Sequence, residues 1–427
     1  MAVESSTQSL FPRADFPILG REIAAGVPLV YLDSGATAQL PSAVVNAVVA
    51  QELQRNGAVN RGSHRLAAEA TDAYENAREK IAGFVGVLPD EIIWTRSTTE
   101  SLNLLAYAIG NYTLGRRGRK NAFDFNLGPN DSIVVTRAEH HANLLPWQEL
   151  CLRTGAQLRW IDLHPDGTLD LNTAAVIDHS TKIVAFAHIS NVTGAVAPVR
   201  ELVAIAHSHG ALAVLDACQS LPHIPVNFAD LDVDFAAFSA HKMFGPAGIG
   251  ALYGRSELLE TLPPFQYGGS MIELVQMEKT TYARSPMKFE AGTQPVPQIV
   301  GFAAAVDYLQ QYGMDQIEKY EADLTAYLLT KLQTVPQIQI LGPRTNTGRI
   351  GVAAFEVPDV HPHDVGQILD SFGVAARVGH HCAQPIHQHF GVRASSRVSI
   401  APYNTKADID VFIAALGKVR AFFGLED

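Results

Sequence analysis

Two apolar runs end in residues that could do chemistry together. Asp216 closes Ala211-Leu-Ala-Val-Leu-Asp216, and Lys242 follows Phe238-Ser-Ala-His in the stretch Phe238–Pro246. Such runs read as strands, and α/β sheets hold their ligands just beyond the carboxyl ends of strands. Taken alone, an Asp ending an apolar strand is more often a helix cap or a turn residue. A lysine flanked by Phe238, Met243 and Phe244 is poorly solvated, which favours a free amine able to attack a carbonyl. The pair meets two demands of pyridoxal 5′-phosphate (PLP): a lysine to carry its aldehyde, and a carboxylate to keep its pyridine nitrogen protonated so that the ring withdraws electrons.

A phosphate needs backbone donors, and Ser97-Thr98-Thr99-Glu100 opens a helix directly after a strand, offering hydroxyls as well as amides. The same four residues also make an ordinary N-cap. Glu139-His140-His141-Ala142-Asn143 follows another strand, where an imidazole could stack on a flat ring and handle protons; a structural histidine and a metal ligand are the other readings. Cys382 lies in Arg377-Val-Gly-His-His-Cys382-Ala-Gln-Pro385, where Arg377, His380 and His381 favour a thiolate, whereas Cys151 and Cys218 sit in apolar surroundings typical of structural thiols.

The elements that must position these residues are legible as an alternation. Strands are expected at Glu91–Thr95, Ser132–Thr136, Gln157–Asp162, Ile183–Ile189, Leu212–Asp216, Phe235–Phe238 and Ile249–Tyr253, with helices at Thr98–Ile109, Ala142–Thr154 and Val199–His209. That order implies a mostly parallel sheet covered by helices. Beyond Pro263, Phe265–Gln294 lacks periodicity, a helical stretch runs from about Gln298 to Val335, and strands at Ile338–Leu341 and Arg349–Phe355 precede helices near His363–Phe372 and Lys406–Phe423. The division expected is an N-terminal segment (1–40) packing on the small domain or a partner subunit, a large α/β domain (41–297) with a helix at Pro41–Arg55, and a smaller C-terminal α+β domain (298–427). Gly110–Asn130, with Arg116, Arg117, Arg119 and Lys120, reads as a long exposed loop between a helix and a strand.

Composition narrows the class. The 427 residues are 47% hydrophobic and carry a net charge of −11, with basic residues scattered apart from the one cluster, which argues against nucleic acid. No run is apolar enough to cross a membrane, the first ten residues are polar, and three cysteines form no CxxC pair. A cytoplasmic protein with free thiols is the expectation.

The series Arg13-Ala-Asp-Phe-Pro17, Tyr31-Leu-Asp-Ser-Gly-Ala-Thr37, Glu139–Asn143, His188-Ile-Ser-Asn-Val192, Ser239–Lys242, Phe289-Glu-Ala-Gly-Thr293 and Gly379-His-His-Cys-Ala383 resembles the group II cysteine desulfurases of the SufS and CsdA type, within the class V aminotransferase-like PLP enzymes. The resemblance implies a PLP-dependent transferase of fold type I. It implies Lys242 as the cofactor lysine, Asp216 at the pyridine nitrogen, His140 on the ring, Gln219 and Asn191 near the phenolic oxygen, and Thr98, Thr99, Ser239 and His241 at the phosphate. Thr293 would come from the second subunit of a homodimer. Arg397, in Ser395-Ser-Arg-Val-Ser399, would pair with the substrate carboxylate, aided by Arg377 and Asn191. Cys382 would take sulfur from L-cysteine as a persulfide, or act on L-selenocysteine, and pass sulfur to an acceptor protein of the SufE/SufU or CsdE type for iron–sulfur cluster assembly. No metal is implied.

The sequence departs from the family's pattern in places: Asn60 stands before Arg61-Gly62 where histidine is common, Ala240 replaces a frequent glycine, Val378 replaces threonine or alanine, and the Gly110–Asn130 stretch is long. Three rival readings stay open. Ser239–Lys242 fits an S-x-x-K hydrolase element without its S-D-N or K-T-G companions. His380, His381, Cys382, His387 and His389 could bind metal, although at no familiar zinc spacing. An aminotransferase or epimerase of the same fold would need no cysteine at 382.

Overall fold

The protein is described by a computed structural model covering residues 8–60 and 62–425; Arg61, next to the unassigned Asn60, lies outside them. A short hairpin of β1 (Glu22–Ala24) and β2 (Val27–Pro28) leads into β3 (Val30–Tyr31), followed by α1 (Ser42–Gln54) and α2 (Arg65–Val85). The large lobe then alternates through β4 (Ile92–Thr95), α3 (Thr98–Thr113), β5 (Ser132–Thr136), α4 (Leu145–Thr154), β6 (Gln157–Ile161), β7 (Thr181–Ala187), α5 (Val199–Ser208), β8 (Leu212–Asp216), α6 (Phe228–Leu231), β9 (Phe235–Ser239), β10 (Gly250–Gly254) and α7 (Ser256–Thr261). A hairpin of β11 (Ile272–Val275) and β12 (Thr280–Tyr282) precedes α8 (Val296–Tyr312) and α9 (Met314–Leu332). The C-terminal lobe contains β13 (Gln339–Leu341), β14 (Val352–Glu356), α10 (Pro362–Ser371), β15 (Val374–Ala375), β16 (Arg377–Gly379), α11 (Gln384–His389), β17 (Ser395–Ser399), α12 (Lys406–Leu416) and α13 (Val419–Phe422).

The seven-stranded sheet runs β4-β10-β9-β8-β7-β5-β6. Every strand is parallel except β10, which pairs antiparallel with both β4 and β9. Alternate residues of each central strand feed two cores. Val134, Val184, Phe186, Ala213 and Leu215 face one with α2, α5 and α8, while Ile133, Val135, Ile183, Ala185 and Val214 face the other with α3 and α4. The central strands are buried on both faces, which is why they read as continuous apolar runs. This is the mostly parallel α/β architecture of fold-type-I PLP enzymes, with the expected strands displaced by at most two residues at their ends.

The smaller lobe has a four-stranded antiparallel sheet, β13-β14-β17-β16. Beside it, β3 pairs in parallel with β15, and Asp33 bridges to Ser399. The N-terminal segment therefore serves both lobes: Phe11, Phe16 and Leu19 enter the large core, and Val30 and Leu32 the small one. The residues Val296, Ile299, Phe302 and Val306 of α8 join the large core through α1 and α2, and after Leu32 the next residue of the small core is Leu324.

Two expectations need correction. The Gly110–Asn130 stretch is not simply exposed: α3 extends to Thr113, and Phe125 and Leu127 are buried in the large lobe. Its arginines dock, because Arg119 reaches Glu273 and the Tyr282 carbonyl of the β11–β12 hairpin and Gly118 N–H donates to the Thr261 carbonyl. The helix α2 is absent from the sequence reading, although Ala67, Ala70, Tyr74, Ala77, Ile81 and Val85 recur three and four apart; alanine makes that stripe only weakly apolar.

Candidate active site

A cavity of about 230 Å³ opens at the carboxyl ends of β7, β8 and β9, between the lobes. Thr98, Thr99, His140, Asn191, Asp216, Gln219, Ser239, His241, Lys242, Arg377, Cys382 and Arg397 all line it. Asp216 ends β8 beside Ala187 of β7 and Ala237 of β9, so the sheet register fixes its carboxylate at the floor. Oδ1 accepts from Cys218 N–H at 3.0 Å. Burial raises the Asp216 pKa, and that amide and the nearby Lys242 charge oppose the shift. Lys242 closes a short helical turn, Ala240–Lys242, directly after β9. It is half-buried, with Met243 and Phe244 buried behind it.

At the opposite end, the first turn of α3 presents its amides. Thr98 N–H donates to Ser239 Oγ at 2.7 Å, and the two hydroxyls lie 2.8 Å apart. Thr99 is exposed at the rim. A helix N-terminus ringed by hydroxyls suits a phosphate dianion. Gly250 at the start of β10 is required there, since a Cβ would stand 2.6 Å from the Phe238 carbonyl and 2.9 Å from Ser97 Cα.

His140 accepts from Ala142 N–H through Nδ1 at 3.0 Å, so the neutral ring carries its hydrogen on Nε2. Burial and the Lys242 charge push its pKa down to about 3. It is therefore a neutral hydrogen-bond donor at working pH. Behind it, the buried Glu139 ties three elements together: Oε1 accepts from Thr136 Oγ1 (2.5 Å) and Ala187 N–H (3.1 Å), and Oε2 from Asn143 Nδ2 (2.6 Å). Burial pushes Glu139 up to about 8 in spite of those donors.

The cationic end belongs to the C-terminal lobe, where Arg377 and Arg397 are register partners on β16 and β17. Arg397 is buried; NH1 donates to the Asn191 carbonyl at 2.9 Å and NH2 to Asp33 Oδ1 at 3.1 Å, while Nε has no partner. Asp33 thus holds the guanidinium flat and leaves donors over for a carboxylate. Cys382 is exposed on the tip of a tight turn, His380–Ala383, closed by Ala383 N–H to the His380 carbonyl at 2.9 Å. Both central residues are left-handed, His381 at φ 49 and Cys382 at φ 55, which marks a type I′ turn without the usual Asn or Gly.

Three of the four histidines weighed as metal ligands have other partners. His387 Nδ1 lies 2.8 Å from the Ala383 carbonyl, and His387 Nε2 and His381 Nε2 each lie 2.9 Å from Ser395 Oγ. His389 Nε2 lies 2.9 Å from the His164 carbonyl. Among the expected site residues, Thr293 stands apart: it is exposed and lines a separate cavity with Trp94, Phe265 and Glu290. Asp33, Glu139 and Ser395 were given no role by sequence reasoning; all three lie inside motifs quoted for other residues.

The residues fit PLP. A buried carboxylate stands at one end, a helix N-terminus with two hydroxyls at the other, and an amine between them. Gln219 donates through Nε2 to the Gly35 carbonyl at 2.8 Å and leaves its other amide atom buried and unpaired at the cavity. That atom awaits a partner on a bound group.

Fold and cavity together define a PLP-dependent enzyme of the aspartate-and-lysine kind, and the chain belongs to the aminotransferase class-V family, whose profile matches residues 30–412. Within it, the chain is 52% identical to a probable cysteine desulfurase 2 of Mycobacterium leprae, covering 97% of both chains. It is 42% identical to a cysteine desulfurase of Escherichia coli, covering 96% of this chain and 98% of that one. Among solved structures it is similar to the apo cysteine desulfurase of Thermococcus onnurineus (TM-score 0.87, 37% identity, 95% and 96% covered). It is also similar to the cysteine desulfurase CsdA of Escherichia coli (TM-score 0.84, 36% identity, 96% and 98% covered).

Proposed function

We propose that the protein is a cysteine desulfurase that converts L-cysteine to L-alanine and leaves the sulfur as a persulfide on Cys382. The observation that carries this reading is the convergence, at one cavity, of Lys242 and Asp216 from the large lobe with Arg397 and the exposed Cys382 from the small one. An aminotransferase or epimerase needs the first three and has no use for a thiol held at the rim.

Lys242, Asp216, Thr98, Thr99, Ser239 and His241 hold the cofactor, with Thr293 reaching across from a second subunit of a homodimer. When bound, PLP supplies an electron sink for negative charge at the substrate Cα. Arg397, steadied by Asp33 and the Asn191 carbonyl and neighboured by Arg377, binds the substrate carboxylate. Lys242 removes the α-proton and returns it later. The neutral His140, with its hydrogen on Nε2, would donate to the substrate sulfur or to an oxygen of the bound group. The Cys382 thiolate attacks the substrate sulfur; an S–S bond forms, the C–S bond breaks, Cβ is reduced, and protons complete alanine and Cys382–S–SH. Selenocysteine suits the same site. The persulfide sulfur would pass to an acceptor protein of the SufE/SufU or CsdE type for iron–sulfur cluster assembly, in a cytoplasmic setting; no helix among the described residues is long and apolar enough to cross a membrane.

The test is to supply L-cysteine with a reductant and measure alanine and sulfide together, with wild type and Cys382→Ser. Equal amounts of both products from wild type, none from Cys382→Ser, and unchanged cofactor absorbance in the variant are expected. Wild-type turnover by Cys382→Ser would overturn the reading.

A further inference from the structure

The Cys382 turn is an unfavourable conformation for the residues in it. Two adjacent non-glycine residues with positive φ persist only where the surroundings hold them. Three contacts come from its own lobe or from β7's continuation: His381 Nε2 with Ser395 Oγ, His387 Nδ1 with the Ala383 carbonyl, and Asn191 Nδ2 donating to the His381 carbonyl at 2.7 Å. The remaining two come from a single large-lobe residue, His141. Its backbone N–H donates to the Cys382 carbonyl at 2.6 Å, and its Nε2 accepts from Gln384 N–H at 3.1 Å. His141 therefore grips the chain on both sides of the nucleophile. Because Nε2 accepts, the neutral ring carries its hydrogen on Nδ1.

His141 is also the immediate neighbour of His140, and both leave the end of β5 in one short helical turn anchored by Glu139. The ring that lines the cofactor cavity and the clasp on the nucleophile are thus consecutive residues of one loop. We infer that His141 is a positioning residue for Cys382: it holds the strained turn in register with His140 across the lobe boundary, and so sets where the thiolate sits relative to the substrate sulfur. This rests on the desulfurase reading, and it assigns His141 to the sulfur-transfer step alone.

The test separates that step from the chemistry at Cα. Deuterium uptake from D2O at the Cα of L-alanine reports the cofactor, Lys242 and Arg397 without any call on Cys382, whereas alanine formation from L-cysteine also needs the thiolate. His141→Ala removes the imidazole acceptor and spares the backbone donor. A loss of about fivefold in kcat for alanine formation is expected, with KM and the Cα exchange rate within twofold of wild type. His141→Gln, whose side-chain oxygen can reach the Gln384 amide, is expected to recover most of that loss. Three outcomes overturn the inference: wild-type alanine formation by His141→Ala, a parallel loss of Cα exchange, or no recovery in His141→Gln. Cys382→Ser in the same assays distinguishes the two failures. If it is inactive with L-cysteine while His141→Ala is unimpaired, the role of His141 falls and the desulfurase reading stands. If Cys382→Ser forms alanine normally, the desulfurase reading itself falls.

Discussion

Glu290→Leu strikes the most heavily bonded ion pair in the large lobe. Arg78 of α2 and Glu290 are both almost fully buried, joined by NH1 to Oε1 at 2.8 Å and NH2 to Oε2 at 2.9 Å. Glu290 also accepts from Trp94 N–H at 2.9 Å and from the Tyr74 hydroxyl, and Arg78 lies over the Tyr74 and Trp94 rings. In Glu290→Leu the guanidinium keeps the Ile92 carbonyl and the half-exposed Glu75, and two buried donors lose their acceptor. Stranding one member of a buried pair costs about 3–5 kcal/mol, and each buried donor left unpaired about 1–3 kcal/mol, so a loss of about 4 kcal/mol or more is expected. Arg78→Met strands the carboxylate instead, at about 3 kcal/mol, because Trp94 and Tyr74 still serve it. Arg78→Met/Glu290→Leu removes both charges and is expected to be more stable than Glu290→Leu. The assay is the urea midpoint of the holoenzyme, followed by tryptophan fluorescence for all four proteins. Additive losses in the double variant would refute the reasoning, since additivity means the two groups do not interact. Glu290 leads into Thr293, so Glu290→Leu is also expected to lose PLP at lower temperature than wild type.

Other expectations follow from individual contacts. Asp33→Asn weakens the hold on Arg397 NH2 and should raise KM for L-cysteine about fivefold while kcat falls less; a fall in kcat at constant KM would contradict the carboxylate role of Arg397. Glu139 takes up its proton more readily in the folded protein than in the unfolded chain, so its contribution to stability is full at low pH and is lost as pH rises from the ordinary glutamate range to about 8. Thermal midpoints across that window should therefore fall more steeply for wild type than for Glu139→Gln, and parallel curves would count against it. Gly250→Ala pushes a methyl group toward Ser97 and the Phe238 carbonyl, so PLP affinity measured by absorbance titration should drop at least tenfold; unchanged affinity would show that the α3 N-terminus tolerates displacement.

The large lobe was legible because its central strands are buried on both faces and carry apolar residues throughout, as in Ile133–Val135 and Ala213–Leu215. The residues at their carboxyl ends, Asp216 and Lys242, could be located by that rule alone. The hairpin at Ile272–Tyr282 left no pattern, because neither strand has a buried face. Strand β17 was hidden for the opposite reason: Ser395, Ser396, Arg397 and Ser399 are all buried, and two of them, Arg397 and Ser399, are satisfied by backbone groups far away in sequence. Periodicity registers hydrophobicity, so it cannot see a polar strand whose partners arrive through folding. Asp33 illustrates the same limit, since its partner Arg397 is 364 residues away.

That separation has a consequence for how the enzyme is made. The seven-stranded sheet, with Asp216 and Lys242 at its rim, has all its strands by Gly254 and most of its core by the end of α8, so it can begin to assemble once Tyr312 has emerged, with Ile317, Ala401 and Tyr403 joining its core later. Strand β3 and Asp33 are made before that sheet, yet they wait for Val374, Arg397 and Ser399, their pairing partners. On the proposed roles, the residues that hold the cofactor come together before Arg397 meets its partner Asp33, which happens only when residues 30–33 fold back against residues 374–399.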